Sequence, residues 1–303
     1  MKLGIIGGAG LLGSTTALIA GERGIFEEIK LVDMKENVVM SHVMDMSQAL
    51  LEFSGTKVSC AKYEELKDTD IILIAAAMPE RQVQDRNEKL AENLSLINSV
   101  CSSLLKADAI QNQIIINTTN PVDIFNYIVY KSLGLPREKI IGFSANDTLR
   151  FKWAIGKTLN VPYNKIDAIC LGEHGDDQVP VYSGIKVNGE AANLSSQQKH
   201  QISEMVGEWY RDYNALDSKR TTGWTSGVML TKYMELIAKK NDTVINCSAV
   251  LDGEYGESNV SIGVPAILGM GGIERIVDID LDKDEKLLFG NTAQKLRGIL
   301  KSI

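Results

Sequence analysis

The first half of the chain carries short, mostly unbroken apolar runs: Leu3–Ile6, Ile29–Val32, Lys57–Cys60, Ile71–Ala75, Ile114–Asn117 and Ile140–Ile141. A strand that is apolar on successive residues has to be covered on both faces. Helix-length segments, Leu11–Glu22, Asn37–Leu51, Glu88–Lys106 and Pro121–Leu133, lie between most of these runs. The alternation predicts a parallel sheet with helices on either side. From about Ile141 the pattern changes. It predicts a helix over Asp147–Leu159, a strand over Lys165–Leu171, sheet over Pro180–Val187, and long helices over Ser195–Asp217 and Ser226–Lys239. Strands and turns are expected over Asp252–Gly269, and a last helix near Asp284–Leu300. No linker rich in Pro, Gly or Ser divides the 303 residues, so the two regions should pack tightly around a cleft.

A net charge of −7 disfavours nonspecific binding to nucleic acid or anionic lipid. No apolar run approaches a membrane span or a signal-peptide core. The four cysteines are widely spaced without a CxxC pair, which suits buried thiols in a reducing cytoplasm better than disulfides or zinc. The expectation is a soluble cytoplasmic protein with no metal, nucleic-acid or membrane partner.

Residues 4–13 read GIIGGAGLLG, directly after the first predicted strand. Gly8, Gly10 and Gly13 fit G-x-G-x-x-G, with Leu11 at the head of the following helix. Such glycines permit a tight turn, approach of a pyrophosphate to the backbone, and close helix–strand packing. The second strand ends in LVD, and Asp33 stands twenty residues after Gly13, where an acid would bond the adenosine ribose. Its charge would repel a 2′-phosphate, favouring NAD over NADP; Lys35 is the neighbour that could soften this. Packing alone would also explain glycines at a strand–helix turn. The same turn fits G-x-x-G-x-x-G (Gly7, Gly10, Gly13) of short-chain dehydrogenases, and Tyr127 and Lys131 have that class's Tyr-x-x-x-Lys spacing. Its helper serine is missing, since Ile114 and Ile115 occupy the stretch.

Four further stretches are QDRNEKLAEN (84–93), NTTNPVD (117–123), NDTLRF (146–151) and LGEHGDD (171–177). Singly, each has a plain reading. Arg86 can be a solvated charge, Asn120 a cap before Pro121, Asp147 and Arg150 a surface pair, and His174 with its acids a metal site or a turn. Reduction of a 2-keto acid gives all of them work. As a hydride leaves nicotinamide C4, His174 can protonate the carbonyl oxygen, with Asp147 fixing its tautomer. Arg150 can hold the substrate carboxylate through paired hydrogen bonds, and Arg86 can polarise the ketone from a closing loop. His42 and His200 have no such company and read as polar helix residues.

Together GGAGLLG, LVD, Arg86 seven residues before Asn93, TNPVD, DTLRF and GEHGD make the chain resemble the lactate/malate dehydrogenase family over essentially its whole length. The resemblance implies a Rossmann NAD-binding domain (1–142) followed by a mixed α/β catalytic domain (143–303). It implies the roles above, Asn93 and Asn120 beside the nicotinamide and carbonyl, Thr225 on the substrate pocket, and a homodimer or homotetramer with helices such as Asn37–Leu51 in contact.

One position breaks the pattern. The family's substrate-reading residue, Gln or Arg in typical members, falls on Glu80, while Ala77 and Val83 replace loop glycines. A carboxylate there would repel a dicarboxylate by roughly 4 kcal/mol at 4 Å in an effective dielectric near 20. A one-residue shift would bring in Arg81 instead. Malate and lactate are the parent substrates, and a catalytically silent NAD-binding redox sensor is the alternative from another class.

Overall fold

The structure is a computed structural model, and it describes residues 1–78, 86–218 and 222–303, with the backbone alone for 86–89. Glu80, Arg81 and Val83 lie outside the described residues.

The first region contains β1 (Lys2–Ile6), α1 (Leu11–Glu22), β2 (Glu28–Val32), α2 (Glu36–Ala49), β3 (Lys57–Cys60), β4 (Ile71–Ile74), α3 (Arg86–Lys106), β5 (Ile114–Asn117), α4 (Val122–Leu133) and β6 (Ile140–Gly142). The strands pair in parallel in the order β3-β2-β1-β4-β5-β6. Every residue of β4 and β5 is buried, as unbroken apolar strands between two layers of helices require. The reversal of strand order lies between β1 and β4, and open sheets of this kind take ligands at the carboxyl ends of strands beside such a reversal.

The second region contains α5 (Ala145–Leu159), β7 (Ile166–Asp167), β8 (Cys170–Gly172), β9 (Gln178–Pro180), β10 (Lys186–Val187), β11 (Glu190–Ala191), α6 (Ser196–Ala215), α7 (Gly223–Ala238), β12 (Val244–Asp252), β13 (Ser258–Gly269), β14 (Gly272–Ile276) and α8 (Lys283–Ser302). The parallel sheet does not stop at β6. It continues through antiparallel β12, β13, β8 and β9, with β14 also on β13, into one eleven-stranded sheet. The β6–β12 joint is a single register pair, Gly142 opposite Ser248. One large apolar core follows this sheet from Leu3 to Leu296. A smaller core, including Phe151, Ile155, Ile166 and Ile202, joins α5 to α6.

The second region differs from expectation in several places, and β11 and β14 are among the strands not foreseen. The stretch Lys165–Leu171 is two strands in different sheets: β7 pairs β10 in a separate three-stranded sheet, and β8 pairs β13 in the large one. The stretch Pro180–Val187 contributes only the end of β9 and β10. The nine-residue β12 was not anticipated, because its centre reads NCS rather than an apolar run. Its polar groups are bonded internally: Asn246 Nδ2 donates to Ser144 Oγ at 3.0 Å and Ser248 Oγ to Asp123, while Asn246 Oδ1 is buried without a partner among the described residues. Among the described residues, no helix is long and apolar enough to cross a membrane.

Candidate active site

The turn after β1 and the head of α1 leave no room for a side chain at Gly7 or Gly13. Gly7 has a φ of 93°, and a Cβ on it would lie 2.7 Å from the Ala75 carbonyl carbon and the Ala76 nitrogen. A Cβ on Gly13 would run into the Gly7 carbonyl oxygen. The Gly7 and Gly8 amides both donate to Val32 O at the end of β2 (2.9 and 3.1 Å). Gly10 caps α1 without a side-chain bond, and no acid stands in the first turn. The amides of Leu11, Leu12 and Gly13 therefore head the helix with its positive end uncompensated, a setting that suits an anion. Asp33 is fixed beside them, accepting from Ala9 N at 3.1 Å through one oxygen and from Lys35 N at 3.0 Å through the other. An ionised carboxylate keeps further lone pairs for a diol.

A cavity of about 1280 Å³ runs from this turn to the histidine predicted as acid/base, lined by Gly10, Leu11, Asp33, Asn93, Asn120 and His174 among others. That exceeds the roughly 300–1,000 Å³ of ordinary small-molecule sites and fits an extended ligand. The glycine cradle, the uncapped helix end and the tethered acid fit a dinucleotide along this wall. Asn93, buried on α3, ties the walls together: its Oδ1 accepts from Met78 N (3.2 Å) and its Nδ2 donates to Asn120 O (3.0 Å).

His174 follows β8 and is held at two points. Its Nδ1 is 2.7 Å from Asp147 Oδ2, and its backbone N–H donates to Asp123 Oδ2 at 2.7 Å. With Nδ1 engaged, Nε2 is the nitrogen left for proton exchange. Burial alone would lower the His174 pKa, but the Asp147 carboxylate outweighs it and holds the imidazolium above its ordinary 6.5. Burial pushes the Asp123 carboxyl up to about 7, against the opposing bonds from Ser248 and His174. Asp123 Oδ1 accepts from Ser248 Oγ (2.5 Å), which is 2.8 Å from Ser261 Oγ; Asn126 donates to Ser261 (2.9 Å). Arg150, one turn along α5, has its Nη1 3.9 Å from Asp147 Oδ1. Burial holds its guanidinium below its ordinary pKa, with Asp147 opposing.

Two of the acids around His174 reach Lys295 on α8. Asp177 pairs with Lys295, and Glu173 Oε2 lies 3.8 Å from the same ammonium. No cluster of three or more His, Cys, Asp or Glu able to hold a metal occurs among the described residues.

The other expected residues are placed as follows. Thr225 is exposed on α7 and is not among the lining residues, whereas its neighbours Thr222, Gly223 and Ser226 are. Arg86 opens α3, and its side chain lies outside the described part. Lys131 sits over the rings of Tyr127 and Tyr130 (5.3 and 5.1 Å), and none of the three lines the cavity. His42 and His200 are likewise absent from its walls. Sequence reading assigned nothing to Asp123, although NTTNPVD contains it, nor to Asn146, whose Nδ2 donates to Ser226 Oγ at 2.8 Å. It also passed over Trp209, Tyr210 and Tyr213, whose only signal was aromatic spacing on a long helix.

Residues 1–142 match the family model for the lactate/malate dehydrogenase NAD binding domain, and residues 146–303 that for the lactate/malate dehydrogenase alpha/beta C-terminal domain. A malate dehydrogenase of Halobacterium salinarum is 32% identical over 298 residues, covering 97% of both chains. An L-lactate dehydrogenase 2 of Bacillus cereus is 32% identical over 309 residues, covering 98% of both. Among solved structures, the malate dehydrogenase of Aeropyrum pernix aligns with a TM-score of 0.92 at 27% identity, over 99% of this chain and 97% of that one. The lactate dehydrogenase of Cryptosporidium parvum, complexed with lactic acid and NAD, aligns at 0.90 with 29% identity, again over 99% and 97%. Relatives of both names thus span the chain from end to end, and with the two family models they make it a member of the lactate/malate dehydrogenase family of oxidoreductases.

Proposed function

We propose that the chain is an NAD-dependent L-2-hydroxyacid dehydrogenase of the malate/lactate type, built as an NAD-binding domain over 1–142 and a catalytic domain over 143–303. One observation carries the reading: His174, tied to Asp147 and near Arg150, opens on the same cavity as the glycine turn and Asp33. The amides at the head of α1, with Gly8, Gly10, Leu11 and Gly13 around them, would hold the pyrophosphate, and Asp33 the adenosine ribose. Bound NAD supplies the carbon that gives or takes the hydride. His174 delivers a proton from Nε2 to the substrate oxygen in reduction and removes it in oxidation. Asp147 keeps the proton on Nδ1 and stabilises the charged ring. Arg150 meets the substrate carboxylate with paired N–H groups. Arg86 polarises the ketone, and Asn120 and Asn93 support the nicotinamide end. Thr225, exposed on α7, lies off the cavity wall, and its neighbours Thr222 and Ser226 border the cavity instead. Whether the substrate side chain meets Glu80 or Arg81 divides the pyruvate from the oxaloacetate reading.

An NADH fluorescence titration followed by a panel of 2-keto acids tests the activity. His174→Asn should lower turnover at least about 100-fold while leaving NADH affinity nearly unchanged. A folded His174→Asn enzyme that stays active would remove the acid/base role. We also propose a homo-oligomer joined through α2, whose Met40 and Met44 and the following Leu51 are exposed. Light scattering of wild type and Met44→Glu would show a lighter species in the variant if that face is the contact.

A further inference from the structure

Among the described residues, no side-chain hydrogen bond fixes the plane of the Arg150 guanidinium. Its one charged partner among the described residues, Asp147, stands at 3.9 Å, too far for a hydrogen bond. What holds the group instead is an aromatic face. Its Cζ lies 4.5 Å from the ring centroid of Trp209 on α6. Trp209 is itself backed by Tyr213, one turn on, with centroids 5.2 Å apart and ring planes 11° from parallel. Tyr213 lines the cavity together with Tyr210 and Asn214. A ring beneath a guanidinium restrains its plane through the π face and uses none of its N–H donors. The donor edge therefore stays available to a carboxylate, which a side-chain hydrogen bond would have partly consumed.

We propose that Trp209 is a positioning residue for Arg150, an indole platform that sets the guanidinium plane for the substrate carboxylate. This rests on the reading of Arg150 as the carboxylate's partner. The platform belongs to α6, so the seat for the carboxylate is assembled from two elements, α5 and α6, joined beneath by their shared apolar core.

The test is a double-mutant cycle in the full chain, with steady-state kinetics on the 2-keto acid turned over fastest and NADH affinity read separately. Trp209→Met keeps apolar volume but removes the ring face. It should raise KM for the keto acid about tenfold or more, change kcat less, and leave the NADH Kd unchanged. Trp209→Phe keeps a ring and should restore most of the KM. In Arg150→Ala the platform has nothing to hold, so adding Trp209→Met should cost little more, whereas independent effects would multiply. If Arg150→Ala itself leaves KM unchanged, the underlying reading of Arg150 fails. If Arg150→Ala raises KM while Trp209→Met does not, or the two losses multiply in the double variant, the platform is refuted and Arg150 keeps its role. Should Trp209→Met fail to fold, Trp209→Leu and Trp209→Phe carry the same comparison.

Discussion

At the scale of single residues, the two acids that hold His174 should separate in pH experiments. Asp147 raises the imidazole pKa above 6.5 against burial. Keto-acid reduction needs the imidazolium, so its rate should fall as pH rises through that raised value; hydroxy-acid oxidation should rise over the same range. Asp147→Asn removes the main opposition to burial and leaves only the weaker pull of Asp123, so the reduction limb should move to lower pH, measured as kcat/KM against pH. A limb that stays in place would mean Asp147 acts through orientation alone. Asp123 acts on stability. Its carboxyl is raised to about 7 from an ordinary value near 3.8, so the folded state prefers the proton. That stabilisation is complete below the unfolded value and is lost as pH rises through about 7. His174, also raised, has the same sign. Asp123→Asn removes one of the two contributions, so Tm should fall less between pH 5 and pH 8 than in the wild type. Glu80 and Arg81 give the substrate prediction. If Arg81 reads the side chain, the wild type prefers oxaloacetate and Arg81→Ala abolishes that preference. If Glu80 does, pyruvate wins and Glu80→Gln improves it. Rates on both acids for the three proteins decide, and wild type inert to both would reject either version. Asp147, Arg150 and His174 were legible because their chemistry is written in their side-chain types. Asp123 and Trp209 were not, since their meaning lies in partners 51 and 59 positions away, a backbone amide and a guanidinium respectively.

Among the elements, the β1–α1 turn was the most legible, because each of its glycines answers to a local geometric demand. Gly13→Ala would press a methyl into the Gly7 carbonyl and push α1 off β1. NADH affinity should drop about tenfold or more and Tm should fall, while the unchanged histidine end keeps its chemistry once NADH saturates. Isothermal titration with NADH checks this, and an unaltered Kd would remove the turn from the cofactor's seat. The parallel strands were legible because their residues are apolar on both faces. The strand β12 was hidden because its centre exchanges apolar burial for internal hydrogen bonds, which periodicity does not register. The break between β7 and β8 was hidden for a different reason: a change of sheet leaves no mark in a run that stays apolar through Ala168 and Ile169.

Across the whole molecule, the sheet leaves the two regions no freedom to act as jaws. Swinging one against the other would have to open the seam at Gly142 and Ser248. Around it, Asn126 on α4 donates to Ser248 O and Ser261 Oγ, and Asn246 on β12 donates to Ser144 beyond β6. Those bonds are buried, and breaking them unreplaced would cost roughly 1–3 kcal/mol per orphaned group. The sheet is thus a stiff beam with the reaction chamber mounted on its side. Any motion that accompanies binding is then expected in what is bolted to the beam. Of the cavity's helices, α6, with only Ile202 and Val206 buried, is held more lightly than α7. The radius of gyration in solution scattering should then be nearly the same for the free protein and for the protein saturated with NADH and a substrate analogue. Amide exchange, by contrast, should slow along α6 and α7 and hardly change in β4, β5 and β12. A marked compaction on binding would show that the beam bends after all.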